Sequence, residues 1–261
     1  MKMKILWMFI LVSVFFVGCS GGGSENGRSS TKNIFGEDGR QPITTRDYPW
    51  STIGKLFDAN CTGTLVAKDL VLTAAHCVID ESTQEVRSDI TSFKVNLVSG
   101  EAPAEAGISH VWWGTNNPNN FRHSDWAILR LKEALGEKYG WLGIRRTTVE
   151  TFPSELTVAG YSADYDNGQT ATVHHNCATR NRFVDQGFVL HDCDSTRGAS
   201  GGPALRMYNN ELSIYGIHVA ERRYDSDTSL HIDEYDDEYG NIVIPSTGFL
   251  DKVMEILASD K

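Results

Sequence analysis

The chain has 261 residues, 40% of them hydrophobic, and carries 34 acidic against 24 basic side chains for a formal charge of −10. That balance disfavours nucleic acid as a partner and electrostatic docking on anionic lipid. Five cysteines occur without a C-x-x-C pair, which argues against a structural zinc site.

Lys2 and Lys4 precede an apolar run from Ile5 to Val17, then the small-residue stretch Val17-Gly18-Cys19. The run is too short to span a bilayer comfortably and has the length of a signal-peptide core, so residues 1–18 are read as a signal peptide. The cysteine after the cut resembles a bacterial lipobox, although Phe16 stands where a leucine is usual. This resemblance implies diacylation of Cys19, an exported protein and a membrane tether facing the periplasm or cell surface. An ordinary secretory signal is the competing reading. Acylation would also remove the odd thiol and leave two pairs suited to an oxidising compartment. Residues 19–33, SGGGSENGRSSTKN after Cys19, have almost no apolar content and read as a flexible tether of about 20 Å.

The body, residues 34–261, is one domain length for an all-β protein. Short apolar, β-branched runs are expected as strands at 52–57, 63–66, 70–73, 93–98 and 126–131. After a hinge near 135–150 they continue at 156–161, 171–175, 188–190, 204–207 and 212–219. Two such sets predict two antiparallel barrels. One helix is expected over 249–258, with Ser246 or Thr247 as its cap. The acid-rich stretch 221–238 reads as a solvated loop. A calcium site is the rival reading there, without EF-hand spacing. His174 and His175 are adjacent, so on a strand they face opposite ways and do not suit one metal ion. No metal site or cofactor is assigned.

Three motifs carry the chemistry: LTAAHC at 72–77, DWAILRL from Asp125, and GASGGP around Ser200. They place His76, Asp125 and Ser200 in the order of the chymotrypsin-type double β-barrel. Gly198 to Gly202 also matches G-x-S-x-G, but in α/β-hydrolases that serine precedes both partners. A serine hydroxyl is a weak nucleophile until an imidazole takes its proton, so His76 is expected as the base. Asp125 would fix its tautomer and stabilise the imidazolium. The backbone N–H groups of Gly198 and Ser200 are expected to receive the oxyanion.

With these residues in view, the chain resembles the trypsin/chymotrypsin superfamily, and within it the bacterial glutamyl endopeptidase-like branch. The likeness runs from IFGEDGR and YPWSTIGKL through CTGTLVAKDLVLTAAHC to DST-R-GASGGP and GIH. It implies two six-stranded antiparallel barrels with a C-terminal helix, a monomer, and hydrolysis of protein or peptide substrates. It also implies the bridges Cys61–Cys77 and Cys177–Cys193; spacing alone leaves open pairings that would join the two barrels. Ala199 stands where trypsin-like enzymes carry the aspartate that pairs with a freed amine, so that activation switch is absent. For the specificity pocket the resemblance gives conflicting signs. Asp194 occupies the place of an aspartate that binds Lys or Arg. His218 occupies the place of a histidine that contacts a substrate carboxylate, with Ser195 as a second donor. Cleavage after acidic residues is the preferred expectation. It requires Asp194 to point away from the pocket or to be neutralised. Cleavage after Lys or Arg, an esterase, and an inactive binding relative are the alternatives.

Overall fold

Alternating β-branched and small residues, cut into short runs by turns, close into two barrels. The computed structural model describes residues 32–56, 59–222 and 231–260. The expected signal peptide, Cys19, the tether up to residue 31, residue 57 of the first expected strand, and the middle of the acidic loop lie outside the described residues.

The first barrel consists of β1 (Ile53–Leu56), β2 (Cys61–Leu65), β3 (Leu70–Thr73), β4 (Ser92–Val95), β5 (Ala104–Trp113) and β6 (Ala127–Leu131). The second consists of β7 (Glu155–Gly160), β8 (Thr172–Phe183), β9 (Phe188–His191), β10 (Pro203–Tyr208), β11 (Glu211–Glu221) and β12 (Asn241–Pro245). The first closes in the order β6-β3-β2-β1-β4-β5, the second as β12-β9-β8-β7-β10-β11. The two orders are the same circuit, and every pairing in both is antiparallel. The first interior is filled by Leu56, Leu65, Leu70, Leu72, Phe93 and Ile128, all fully buried. Val158, Val189, Ala204 and Val243 pack together in the second.

Two strands lie outside the expected runs, and only the first lacks an apolar face. In β5, AEAGISHVWW, only Ala106 is buried. The strand exists because both its edges pair, with β4 and with β6. β12, NIVIP, is buried throughout and pairs with β9 and β11.

The hinge between barrels includes a short helix, α1 (Leu135–Tyr139). It ends against the first barrel, where Ser51 Oγ donates to the Tyr139 carbonyl at 2.7 Å. The C-terminal helix α2 (Leu250–Ser259) buries Leu250, Val253 and Ile256 on one stripe. Its expected cap is corrected. Phe249 occupies the N-cap position without a side-chain cap bond. Ser246 and Thr247 lie in the preceding turn and pin the hinge instead: Ser246 Oγ accepts from Thr147 N at 2.9 Å, and Thr247 Oγ1 donates to Thr147 O at 3.0 Å. Arg130 of β6 reaches Asp260 at 2.8 Å, tying the end of α2 to the first barrel. No helix among the described residues is long and apolar enough to cross a membrane.

The described residues begin with a strand, Lys32–Phe35, so Lys32 and Asn33, expected at the end of the tether, are part of the folded body. Asn33 pairs antiparallel with Ser195, and Ile34 pairs parallel with His231. Gln41 and Pro42 then pair with β8. The N-terminal segment is therefore knitted into the second barrel, next to the chain that leads to Ser200.

Candidate active site

His76 sits in the turn that follows β3, and Asp125 just before β6, neighbouring strands of the first barrel. Asp125 has no exposed surface. One carboxylate oxygen accepts the His76 backbone N–H at 3.0 Å, and the other lies 2.9 Å from His76 Nδ1. An ionised carboxylate only accepts, so Nδ1 carries the proton and Nε2 keeps its lone pair. Burial opposes the imidazolium, but the charge and hydrogen bond of Asp125 outweigh it and hold the His76 pKa above its ordinary value. Burial likewise works to raise the Asp125 carboxyl, yet His76 and then Arg122, 3.6 Å away, hold it below the usual range.

Ser200 comes from the second barrel, in the tight turn before β10. Gly198 has φ +103° and Gly201 φ +84°. A side chain at the first would run into the Tyr161 carbonyl, and at the second into Thr62 and Thr73, so the turn demands glycine at both. Thr62 of β2 clamps this turn from the opposite barrel. Its N–H donates to the Ser200 carbonyl at 2.8 Å and its hydroxyl to the Gly198 carbonyl at 2.8 Å. The same hydroxyl accepts from Tyr161 N at 2.9 Å. On the other side β11 exchanges two bonds with the turn, Gly201 N to His218 O and His218 N to Gly202 O, each 2.8 Å. With their carbonyls held from behind, the N–H groups of Gly198 and Ser200 have no acceptor among the described residues.

His76, Ser200 and Gly198 line one cavity of about 520 Å³ between the barrels. Ser200 Oγ and His76 Nε2 are not hydrogen bonded here. Such contacts often tighten only when substrate arrives. Arg197, Val219, Ala220 and Glu221 complete the wall beside the serine. Disulfides join Cys61 to Cys77 and Cys177 to Cys193, each across 16 positions. The first anchors the turn of His76, and the second ties β8 to the chain just after β9.

The three residues expected around the specificity pocket behave differently. Asp194 turns to the N-terminal segment, where its two oxygens accept Phe35 N and Gly39 N, both at 2.8 Å. His174 Nδ1 accepts the Asp194 amide N–H at 2.8 Å, so its approach to that carboxylate is not a charge pair. None of Asp194, Ser195 and His218 is among the residues that line that cavity. Ser195 Oγ is buried without a hydrogen-bond partner among the described residues. His218 is fully buried, and its Nδ1 lies 3.2 Å from His191 Nε2. His191 Nδ1 in turn accepts Cys193 N at 3.2 Å. Burial, with the neighbouring rings of His218 and His174 adding to it, keeps the His191 pKa well below its ordinary value.

The sequence assigns no site role to Thr62 or His191, and Glu221, expected to open the solvated acidic loop, is corrected: it ends β11 and lines the cavity. Thr62 is an unremarked threonine in a strand. His191 carried a signal, since a histidine closing the apolar run FVLH needs a buried partner.

The sequence matches the family described as Trypsin over residues 38–233. It is 28% identical to Serine protease 23 of Homo sapiens over 259 residues, covering 84% of this chain and 66% of that protein. It is 26% identical to Glutamyl endopeptidase of Bacillus licheniformis, covering 72% of this chain and 59% of that protein. The chain thus spans about three fifths to two thirds of the length of these relatives. Among solved structures, one of Glu endopeptidase in complex with MPD superposes with a TM-score of 0.70 at 20% identity, covering 86% of this chain and 99% of that one. That likeness is one of fold.

Proposed function

Because the chain belongs to the trypsin family of serine proteases, we propose that it is an exported serine endopeptidase that cleaves after acidic residues. Ser200 Oγ attacks the scissile carbonyl as His76 Nε2 takes its proton, and the oxyanion is received by the N–H groups of Gly198 and Ser200. His76 then protonates the leaving amine, and a water activated by the same imidazole releases the acyl group from Ser200. Asp125 stabilises the imidazolium in both halves of the cycle. The observation that carries this reading is the Asp125–His76 pair, held by two hydrogen bonds at the mouth of the cavity that Ser200 also lines.

The acidic preference is supported by two side chains. Asp194, the sign for basic substrates, has both oxygens on backbone amides of the N-terminal segment. Among the described residues His218 Nε2 makes no hydrogen bond, while Nδ1 is used by His191. Because His191 Nδ1 accepts a backbone N–H, its Nε2 is the donor to His218 Nδ1. His218 Nε2 is then left as an N–H, able to bind a carboxylate. For location, the basic start, short apolar run and Cys19 support export and a diacyl tether, with residues 20–31 as the spacer. A monomer acting on protein or peptide chains needs nothing further.

Profiling cleavage sites in a peptide library tests the specificity. Glu or Asp should dominate the position before the cut, and His218→Ala should remove that preference, while Asp194→Ser should leave it largely intact. Cleavage after Lys or Arg that disappears in Asp194→Ser would replace this reading with a trypsin-like pocket.

A further inference from the structure

Glu221 ends β11 three positions after His218, and on a regular strand residues so spaced face opposite sides. The pairing of β11 with β12 slips between His218 and Ala220. An inserted residue of this kind reverses the alternation beyond it. The bulge therefore brings Glu221 to the side of the sheet that carries the His218 ring. Its Oε1 lies 3.6 Å from His218 Nε2. Neither atom has a hydrogen-bond partner among the described residues, and both are buried. The Glu221 side chain is 14% exposed and lines the cavity shared with Ser200.

The donor chain from Cys193 N through His191 to His218 leaves the His218 Nε2–H aimed at this carboxylate. Burial would raise the Glu221 carboxyl, but His218 holds it below its ordinary value, so the group facing His218 is the anion. The separation exceeds hydrogen-bond length, so the side chain is parked beside the ring rather than fixed to it.

We propose that Glu221 is the internal occupant of the specificity pocket, its carboxylate standing on His218 where the acidic side chain of a substrate has to bind. This rests on the acidic reading above. A substrate glutamate must displace Glu221 or share one N–H with it. Two desolvated carboxylates at one donor repel each other strongly. Glu221 therefore limits how well acidic residues bind, and serves as a specificity-determining residue that the pocket carries against its own preferred ligand.

The test measures kcat and KM of the whole protein on two peptides that differ only in Glu or Ala before the cut, with active enzyme counted by titration of Ser200. Wild type, Glu221→Ala, the near-isosteric Glu221→Gln and His218→Ala are compared. The Glu-over-Ala ratio of kcat/KM is the readout, so partial misfolding of a variant cancels. The ratio should rise at least about tenfold in both Glu221 variants, mainly through a lower KM for the Glu peptide. If both variants cleave after Glu at an unchanged or lower ratio while His218→Ala loses the preference, the occupant role is wrong and the acidic pocket stands. If no protein favours Glu, and a Lys or Arg peptide is cleaved by wild type but not by Glu221→Gln, both readings fall and Glu221 is a receptor for basic side chains.

Discussion

Asp125 gives both carboxylate oxygens to His76, one to its backbone N–H and one to its ring, so position and tautomer are set by the same group. An asparagine there would offer an N–H to Nδ1 and leave the proton on Nε2, the nitrogen that must accept from Ser200. Asp125→Asn is therefore expected to lower kcat by about 10⁴. The pH profile gives an independent reading of the same contact. The base works only when neutral, and Asp125 raises the His76 pKa, so activity is lost as pH falls through a value above the ordinary 6.5 or so. In Asp125→Asn that limb of kcat/KM should move to lower pH, because the stabilising charge is gone. A wild-type limb at or below the ordinary histidine range, or a variant with near-normal turnover, would contradict the role given to Asp125.

At the scale of the element, the working parts are turns, and each is held by a neighbouring strand. Thr62 on β2 holds the Ser200 turn through two hydrogen bonds, one from its N–H and one from its hydroxyl, and the hydroxyl also accepts from Tyr161 N. Thr62→Val keeps the shape but leaves the Tyr161 N–H and the Gly198 carbonyl buried without that partner. The expected loss is about 1–3 kcal/mol of unfolding free energy, read by chemical denaturation. A variant as stable as wild type would show that the clamp is dispensable. Such contacts mark the boundary of what a linear reading reaches. His76, Asp125 and Ser200 are legible as a candidate triad because each lies in a local run whose residue types only make sense together, and the fold brings all three to one cavity or its wall. The direction of Asp194 is not, because it depends on amides at Phe35 and Gly39, more than 150 positions away. The His218–Glu221 approach depends on a bulge that composition does not announce, and β5 on pairing at both edges rather than on an apolar face.

At the scale of the molecule, two barrels of the same circuit meet so that one carries the proposed base and orienting acid and the other the proposed nucleophile and oxyanion donors. The hinge is pinned at Thr147 by the turn before α2, and Thr62 crosses from the first barrel to the turn of the second. The N-terminal segment, paired with Ser195 and capping Asp194, makes the start of the folded body a part of the second barrel. All of this assembly serves one claim, that Ser200 is a nucleophile activated across the cleft. The most direct measurement is covalent labelling by a serine-directed phosphonate, followed by peptide mass mapping. A single adduct on Ser200 is expected, absent in Ser200→Ala, with the label and digestion of casein lost together. An adduct on another serine, or casein digestion that persists in Ser200→Ala, would contradict it.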